Sequence, residues 1–510
     1  MYSSILSAVV QGLQVTIVCV EMDVSNGLPS LQIVGSASTE VKEAGERVRT
    51  AIKNLGYQLP AKKIIGNLTP ANIRKVGTGF DLAIAISLLA AYELISVNKI
   101  KDVLVIGEIG LDGCIHPVHA ILPIMNAAKA KGIRTFIIPK ENEQEGAVIG
   151  EVCIYAVSHL QEVIRHFTSE PLKAVPYLDF HTAYRDTKEV GIDFDEIQGQ
   201  EPAKRAVQIA VAGNHNFAMI GSPGSGKSMI AQRIPTIQPE LTIEESIPIS
   251  EIYSIRGLLN ADTPLIVKRP FRDVHHTVTK AALIGGGTVV KPGELSLAHG
   301  GVLFLDELPE FNKNVLEVLR QPLEAKKVRI IRSKGCFEFP ADVMLVAAMN
   351  PCPCGNYPDR NRCICSEYDI QRYLGKISQP LWDRIDICVD VARVEYDMLQ
   401  NTNNSTSSCD MKEKVEIARA IQQERFRGTT IRTNAVIPTK FIRTYCSLNT
   451  EGHALMKMAY QKLNLTARTY YKILKVARTI ADMDAATEIQ LSHLREAIGY
   501  RSINIKDWRG

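Results

Sequence analysis

The sequence predicts an α/β protein whose centre is a parallel sheet carrying a phosphate-binding loop, with an α+β region before it and a helical region after it. Three observations carry that prediction. The apolar runs FAMIG (217–221), GVLFLDE (301–307) and VMLVAAMN (343–350) each end in polar residues. Such runs read as strands buried on both faces, which suits a parallel sheet with functional groups at its strand ends. The glycine-rich GSPGSGKS (221–228) stands between the first of these strands and the helix-like MIAQRI. The length, 510 residues, exceeds what one hydrophobic core serves, so about two to four domains are expected.

Composition narrows the class. Hydrophobic residues make up 45% and charged residues 22%, as in globular proteins. The net charge of +4 is mildly basic and leaves the partner open. The start, MYSSILSAVVQGLQV, lacks the basic opening and compact apolar core of a signal peptide. The apolar runs stop short of the roughly 18 residues a membrane span needs. A cytoplasmic protein without membrane contact is therefore expected.

Along the chain, VTIVCVEMDV (15–24) and IRTFIIP (133–139) read as strands. VKEAGERVRTAIKNLG (41–56) has helical spacing and stops at Gly56, a plausible C-cap. FDLAIAISLLAAYEL (80–94) is apolar nearly all round and reads as a buried helix. The expected first domain is 1–168. A polar stretch, 169–194, reads as a linker, and 195–400 as the central domain. NTNNSTSSCD begins a flexible loop over 401–412, and 413–510 reads as a helical domain. In that domain Tyr470, Ile473, Leu474, Ala477, Ile480 and Ala481 form one helical stripe, which reads as core packing.

GSPGSGKS matches G-x-x-x-x-G-K-[ST] at every position, in the strand-to-helix context the motif requires. Gly221, Ser222, Pro223, Gly224, Ser225 and Gly226 form the loop. Its glycines let the backbone wrap phosphates, and its N–H groups with the helix N-terminus supply positive potential. Lys227 reaches the β- and γ-phosphates, and the Ser228 hydroxyl ligates Mg²⁺. ATP and Mg²⁺ are thus the expected cofactors. At the end of VLFLDE, Asp306 is expected to hold the metal and Glu307 to polarise the attacking water. Asn350, at the end of the next strand, offers an amide to the γ-phosphate.

The cysteines are unevenly used. CPCGNYPDRNRCIC (352–365) gives C-x-C-x₈-C-x-C, with Cys352, Cys354, Cys363 and Cys365 in fourteen residues. Four thiolates on a turn-rich loop can close around one tetrahedral ion. Zinc is favoured over an iron–sulfur cluster, although spacing does not decide between them. Its role would be a structural staple between Asn350 and the LWDRID segment. His275 and His276 are adjacent but have no third ligand nearby, so packing or loop hydrogen bonding is favoured over metal binding.

The ordered segments DEIQGQEPAKRA (195–206), GSPGSGKS, FRDVHHT (271–277), KPGELSLAHGGVLFLDE (291–307), MNPCPCG (349–355) and LWDRID (381–386) resemble the ComM/YifB group of magnesium chelatase-like AAA+ ATPases over essentially the whole chain. The resemblance implies a P-loop AAA+ core, a C-terminal helical lid and a homo-oligomeric, hexameric ring. It places Asn350 at the sensor-1 position. It makes Arg384 an arginine finger reaching the neighbouring subunit's γ-phosphate, against the plainer reading of a surface arginine paired with Asp383 or Asp386. It makes Arg468 a sensor-2 arginine over the subunit's own nucleotide, with Arg320 a weaker rival for an intersubunit role. The implied activity is ATP-driven branch migration on branched or single-stranded DNA, in natural transformation or recombination. The alternative is a chelatase-like or remodelling motor with a protein partner.

Two further segments bear on this. KKVRIIRSK (326–334) reads as one arm of a β-hairpin whose Lys326, Lys327, Arg329, Arg332 and Lys334 could track DNA phosphates. The plainer reading is an edge strand kept soluble by charge. TKAALIGGGTVVKPGEL (279–295) reads as an insert-like loop. The region 1–168 resembles the proteolytic domain of Lon. There Gly79 stands at the serine position and Val118 at the lysine position, with His116 nearby. A nucleophile and its base are both needed, so no peptidase activity is expected.

Overall fold

The computed structural model describes residues 1–179, 191–259, 263–287, 289–332, 335–393 and 406–502. Lys334, the middle of the 169–194 stretch and the start of the 401–412 stretch lie outside the described residues. The chain forms two compact units. One comprises Met1–Lys188, Thr242–Val267 and Thr288–Lys291, and the other Glu189–Leu241, Lys268–Gly287 and Pro292–Gly510.

The first unit is built on a seven-stranded mixed sheet. Its order is Ser30–Val34, Lys63–Thr69, Gln14–Ser25, Tyr2–Gln11, Val103–Val105, Thr135–Pro139 and Cys153–Val157. The long antiparallel pair Tyr2–Gln11 and Gln14–Ser25 turns tightly at its end, with Gln11 opposite Gln14. Helix Asp81–Ala91 is buried at every one of its positions, as its all-round apolar sequence predicts. Its two polar groups are satisfied internally. Asp81 takes both Arg47 Nε and Nη2 at 2.9 Å, and Ser87 meets Ser3 at 2.8 Å. Helix Thr39–Asn54 ends where Gly56 takes φ +85°, the left-handed C-cap geometry that glycine adopts without strain.

Part of the sequence between two core strands belongs to this first unit. Helix Ile243–Arg256 opens with a Thr242/Glu245 capping box. Glu251 accepts from Asn126 Nδ2 at 2.8 Å, and Ser254 donates to Glu145. Residues 170–179 are also pinned here, with Val175 N–H bonded to Ile154 O at 2.8 Å and Leu178 N–H to Ala147 O at 2.9 Å.

The second unit holds a five-stranded sheet in the order Phe271–Val274, Val302–Leu305, Met344–Met349, Phe217–Gly221 and Ile387–Val391. All four pairings are parallel. The strand carrying the glycine-rich loop therefore lies between the fourth and fifth strands of this unit, where the order reverses. That edge is where open parallel sheets bind ligands. Helices Glu201–Gly213, Lys227–Ile237, Ser408–Arg425 and Ala467–Met483 share one apolar core with the sheet. Helix Ser408–Arg425 starts inside the stretch expected as loop, because Ser407 and Asp410 form a capping box. Similarly, Lys280–Ile284 is a short helix, and the insert-like stretch also holds the short strands Gly285–Gly286 and Lys291–Pro292. Strands Lys327–Arg332 and Gly335–Pro340 form the antiparallel hairpin expected before the Met344–Met349 strand. No helix among the described residues is long and apolar enough to cross a membrane.

Candidate active site

The glycine-rich loop leaves its buried strand at Gly221, where no side chain fits. A Cβ there would lie 2.3 Å from Val391 O. Gly224 and Gly226 have φ of +74° and +90°, and a Cβ on either would meet nothing within 4 Å. The loop is thus turned by glycines and open on the side where phosphates would lie. Ser225 Oγ is buried there with no hydrogen-bond partner among the described residues. These features fit a bound polyphosphate.

Lys227 begins helix Lys227–Ile237. Its ammonium donates to Gly221 O at 2.8 Å, Ser222 O at 2.9 Å and Asn350 Oδ1 at 3.2 Å. Burial lowers its pKa, opposed by Asp306 and Glu307. Ser228 Oγ donates to Asp306 Oδ2 at 2.6 Å. These are the two groups expected to share one Mg²⁺, and they already stand on the same point. Lys227, Ser228, Asp306 and Asn350 are therefore brought together from three adjacent parallel strands.

Glu307 follows Asp306 with φ +51°. That conformation is uncommon for a residue with a side chain and clusters at functional sites. Its N–H donates to Asp306 Oδ1 at 2.8 Å, which leaves its own carboxylate turned outward and half exposed. His276 Nδ1 lies 3.7 Å from Glu307 Oε2 and its ring stands 4.0 Å from that of His275. His275 in turn contacts Thr277 Oγ1 at 3.0 Å, so the pair makes loop contacts as expected, with one member at the carboxylate.

Two residues at this site, and a third at the far end of the Phe217–Gly221 strand, were not singled out from sequence. Asp273 is the penultimate residue of the Phe271–Val274 strand, and burial raises its pKa with help from Asp306. Burial, then Glu310 and Glu307, push the Tyr373 phenol up. Asn216 ties its own strand to two other segments. Its N–H donates to Asp386 Oδ2 at 2.9 Å, its side chain donates to Arg384 O at 2.8 Å, and its Oδ1 accepts from Leu345 N–H at 2.9 Å. A lone Asn before a strand carries no sequence signal of such a role.

The arginines gather elsewhere. Arg384 donates to Pro380 O at 2.6 Å, Arg320 O at 3.2 Å and Glu324 Oε2 at 2.6 Å. Arg468 pairs with the other oxygen of Glu324. Neither Asp383 nor Asp386 is the partner of Arg384. Asp383 accepts from Gln379 at 3.2 Å, and Asp386 pairs with Lys472 at 2.6 Å. Arg320 pairs with Glu317 at 2.5 Å.

The four cysteines converge. All four sulfurs lie within 4.8 Å of one another, with Cys352–Cys354 at 3.4 Å, Cys352–Cys363 at 3.7 Å and Cys354–Cys363 at 3.6 Å. A tetrahedron with Zn–S bonds of about 2.3 Å has edges of about 3.8 Å, so the set fits that ion. This knuckle abuts the loop: a Cβ on Gly355, at φ +78°, would lie 2.2 Å from Pro223 Cδ.

Three cations of the basic segment are paired, but they share two carboxylates. Lys326 pairs with Asp342 at 2.9 Å, Lys327 with Glu338 at 2.9 Å and Arg329 with Glu338 at 2.5 Å. Arg332 forms no ion pair among the described residues, and its guanidinium lies near Gly286. In the first unit the two Lon-like positions do face each other. A Cβ on Gly79 would stand 3.8 Å from Val118 Cγ1 and 3.5 Å from Ile106 Cγ2, an apolar pair where a nucleophile and base would be needed.

Comparison with known proteins agrees with this layout. The family described as magnesium chelatase, subunit ChlI, matches residues 193–399. Subunit ChlI of Mg-chelatase matches 20–142, and the magnesium chelatase subunit ChlI C-terminal family matches 405–501. The chain is 40% identical over 496 residues to competence protein ComM of Haemophilus influenzae, covering 96% of each chain. It is 39% identical over 492 residues to a protein of Escherichia coli called YifB, covering 96% of this chain and 94% of the other. Over 154 residues it is 28% identical to Lon protease 2 of Bacillus subtilis, covering 28% of this chain and 27% of that one.

Proposed function

The chain belongs to the ComM/YifB group of magnesium chelatase-like AAA+ ATPases, and from that premise we propose that it is a hexameric ring motor that couples ATP hydrolysis to movement on branched or single-stranded DNA. The observation that carries the motor reading is the junction of three strand ends. Ser228 bonds Asp306 at 2.6 Å while Lys227 reaches Asn350 at 3.2 Å. Lys227 neutralises the β- and γ-phosphates, and Ser228 with Asp306 holds Mg²⁺. Glu307 orients the attacking water and takes up its proton. Asn350 fixes the γ-phosphate end of the site. Arg384 is offered to the nucleotide of the neighbouring copy, where a finger supplied in trans can raise the rate by about 10³–10⁵. Arg468 completes the nucleotide contacts.

Cys352, Cys354, Cys363 and Cys365 hold one structural Zn²⁺ and anchor the loop that follows Asn350. DNA is supported by the name of the Haemophilus influenzae relative, a competence protein, and by the hairpin. Lys326, Lys327, Arg329, Arg332 and Lys334 contact phosphates without reading bases. The setting is cytoplasmic branch migration in transformation or recombination. A second reading, a motor acting on a protein partner, is favoured by the pairing of hairpin cations with Glu338 and Asp342.

The deciding experiment follows a labelled branched DNA mixed with the purified protein, with and without ATP, using Lys227→Ala and Glu307→Gln as controls. Strand exchange that needs ATP and is lost in both variants supports the DNA motor. ATP hydrolysis that neither moves branched DNA nor responds to it refutes that reading and leaves the protein partner.

A further inference from the structure

Two arginines far apart in the chain end on one carboxylate. Glu324 lies on the short helix Arg320–Ala325. Its Oε2 binds Arg384 Nη2 at 2.6 Å, and its Oε1 binds Arg468 Nη2. Among the described residues Glu324 is the one carboxylate paired with either arginine. The three groups differ in how firmly they are held. The Arg384 side chain is 13% exposed and is also fixed by Pro380 O and Arg320 O. The side chains of Arg468 and Glu324 are 45% and 54% exposed. The carboxylate is therefore half-exposed, with one guanidinium buried and held by three acceptors and the other half-exposed.

Two guanidiniums this close repel each other, and a carboxylate between them offsets that repulsion and fixes both planes. Transfer of a phosphoryl group depends on cations already being in place when charge develops. A misplacement of about 1 Å can cost about 10²-fold in rate. We propose that Glu324 is a positioning residue for ATP hydrolysis, holding Arg384 and Arg468 as one oriented cationic pair for the γ-phosphate of a nucleotide bound by a neighbouring copy. This rests on the reading of Arg384 as a finger supplied in trans, and because Arg468 shares its carboxylate it places Arg468 with that finger and not over the subunit's own nucleotide.

The test uses the full-length protein and three variants, Glu324→Gln, Arg384→Ala and Lys227→Ala. Glutamine keeps the shape of the side chain but offers an N–H₂ group to one of the two cations. For Glu324→Gln, kcat for ATP hydrolysis should fall by about 10- to 100-fold, with KM for ATP, assembly size and thermal transition unchanged. Complementation separates positioning from folding. In a mixture of Glu324→Gln and Lys227→Ala, some sites combine an intact loop from one copy with an intact arginine pair from the other. Activity should then exceed that of either variant alone, and the Arg384→Ala and Lys227→Ala mixture should behave alike. The inference is overturned if Glu324→Gln keeps wild-type kcat. It is also overturned if its mixture stays inactive while the Arg384→Ala mixture recovers. If neither mixture recovers, the trans-acting finger itself is wrong, and the inference falls with it.

Discussion

Replacing Asp386 by Asn should destabilise the second unit by about 2 kcal/mol at pH 7. Asp386 accepts Lys472 Nζ at 2.6 Å and Asn216 N–H at 2.9 Å. Burial pushes its carboxyl up, but Lys472 and His215 outweigh burial and hold it at about 2, below the usual 3.8. Burial pulls Lys472 from 10.5 down to about 8, with Asp386 opposing. At about 1.4 kcal/mol per pKa unit, the lowered carboxyl contributes roughly 2 kcal/mol. Without Asp386 the buried Lys472 can shed its proton, which relieves the unpaired charge and keeps the loss from exceeding that figure. The loss therefore lies below the roughly 3–5 kcal/mol typical of breaking one side of a buried pair.

The sign of the pH dependence follows. The Asp386 contribution is present above its unfolded value and is lost as pH falls toward about 2. Lys472 is lowered, so between about 8 and 10.5 the folded chain binds fewer protons than the unfolded one. Across that window Lys472 no longer presents a charge to Asp386, and the deficit of the variant should shrink. Urea unfolding of wild type and Asp386→Asn at pH 7 and pH 9.5 reads both quantities. A deficit below about 1 kcal/mol at pH 7, or an equal deficit at both pH values, would refute the buried-pair argument.

Glu307→Gln should retain ATP affinity and lose about 10²–10⁴ in turnover, read by calorimetry and steady-state hydrolysis. The reason is that the Glu307 carboxylate takes no part in the hydrogen bonds that hold the loop. Gly355→Ala should weaken ATP binding by about tenfold or more, because its Cβ would strike Pro223 Cδ at 2.2 Å; unchanged affinity would show that the knuckle does not press on the loop. Elemental analysis should find about one zinc per chain in the wild type and a large loss in Cys363→Ser, with a lower unfolding midpoint. A metal-free wild type purified without chelator would remove the staple.

Local pattern was enough for much of the fold. A buried apolar helix such as Asp81–Ala91 and a strand such as Phe217–Gly221 are written in consecutive residues, because burial on all sides imposes an apolar run. The helix starting at Ser408 was hidden because its N-terminal residues are polar, and the Ser407/Asp410 capping box has the same composition as a loop. Helix Ile243–Arg256 could not be assigned to the first unit from its position in the chain. That assignment depends on its packing and on partners such as Asn126 and Glu145.

The same division runs through the site. The sequence by itself pointed to the groups at the strand ends, because a glycine-rich phosphate-loop motif, a strand-end carboxylate pair and a four-cysteine cluster are each written in fixed residue types at fixed short spacings. Gly79 and Val118, distant in the chain, are neighbours in the structure. Only the tertiary structure decided what those groups are bonded to. It joined Ser228 to Asp306, turned the hairpin cations toward Glu338 and Asp342, seated Asp386 on Lys472 rather than Arg384, and gathered Arg384 and Arg468 on Glu324. Charge pairing is set by distance through space, and a carboxylate many turns away leaves no periodicity or motif in the chain to announce its partner.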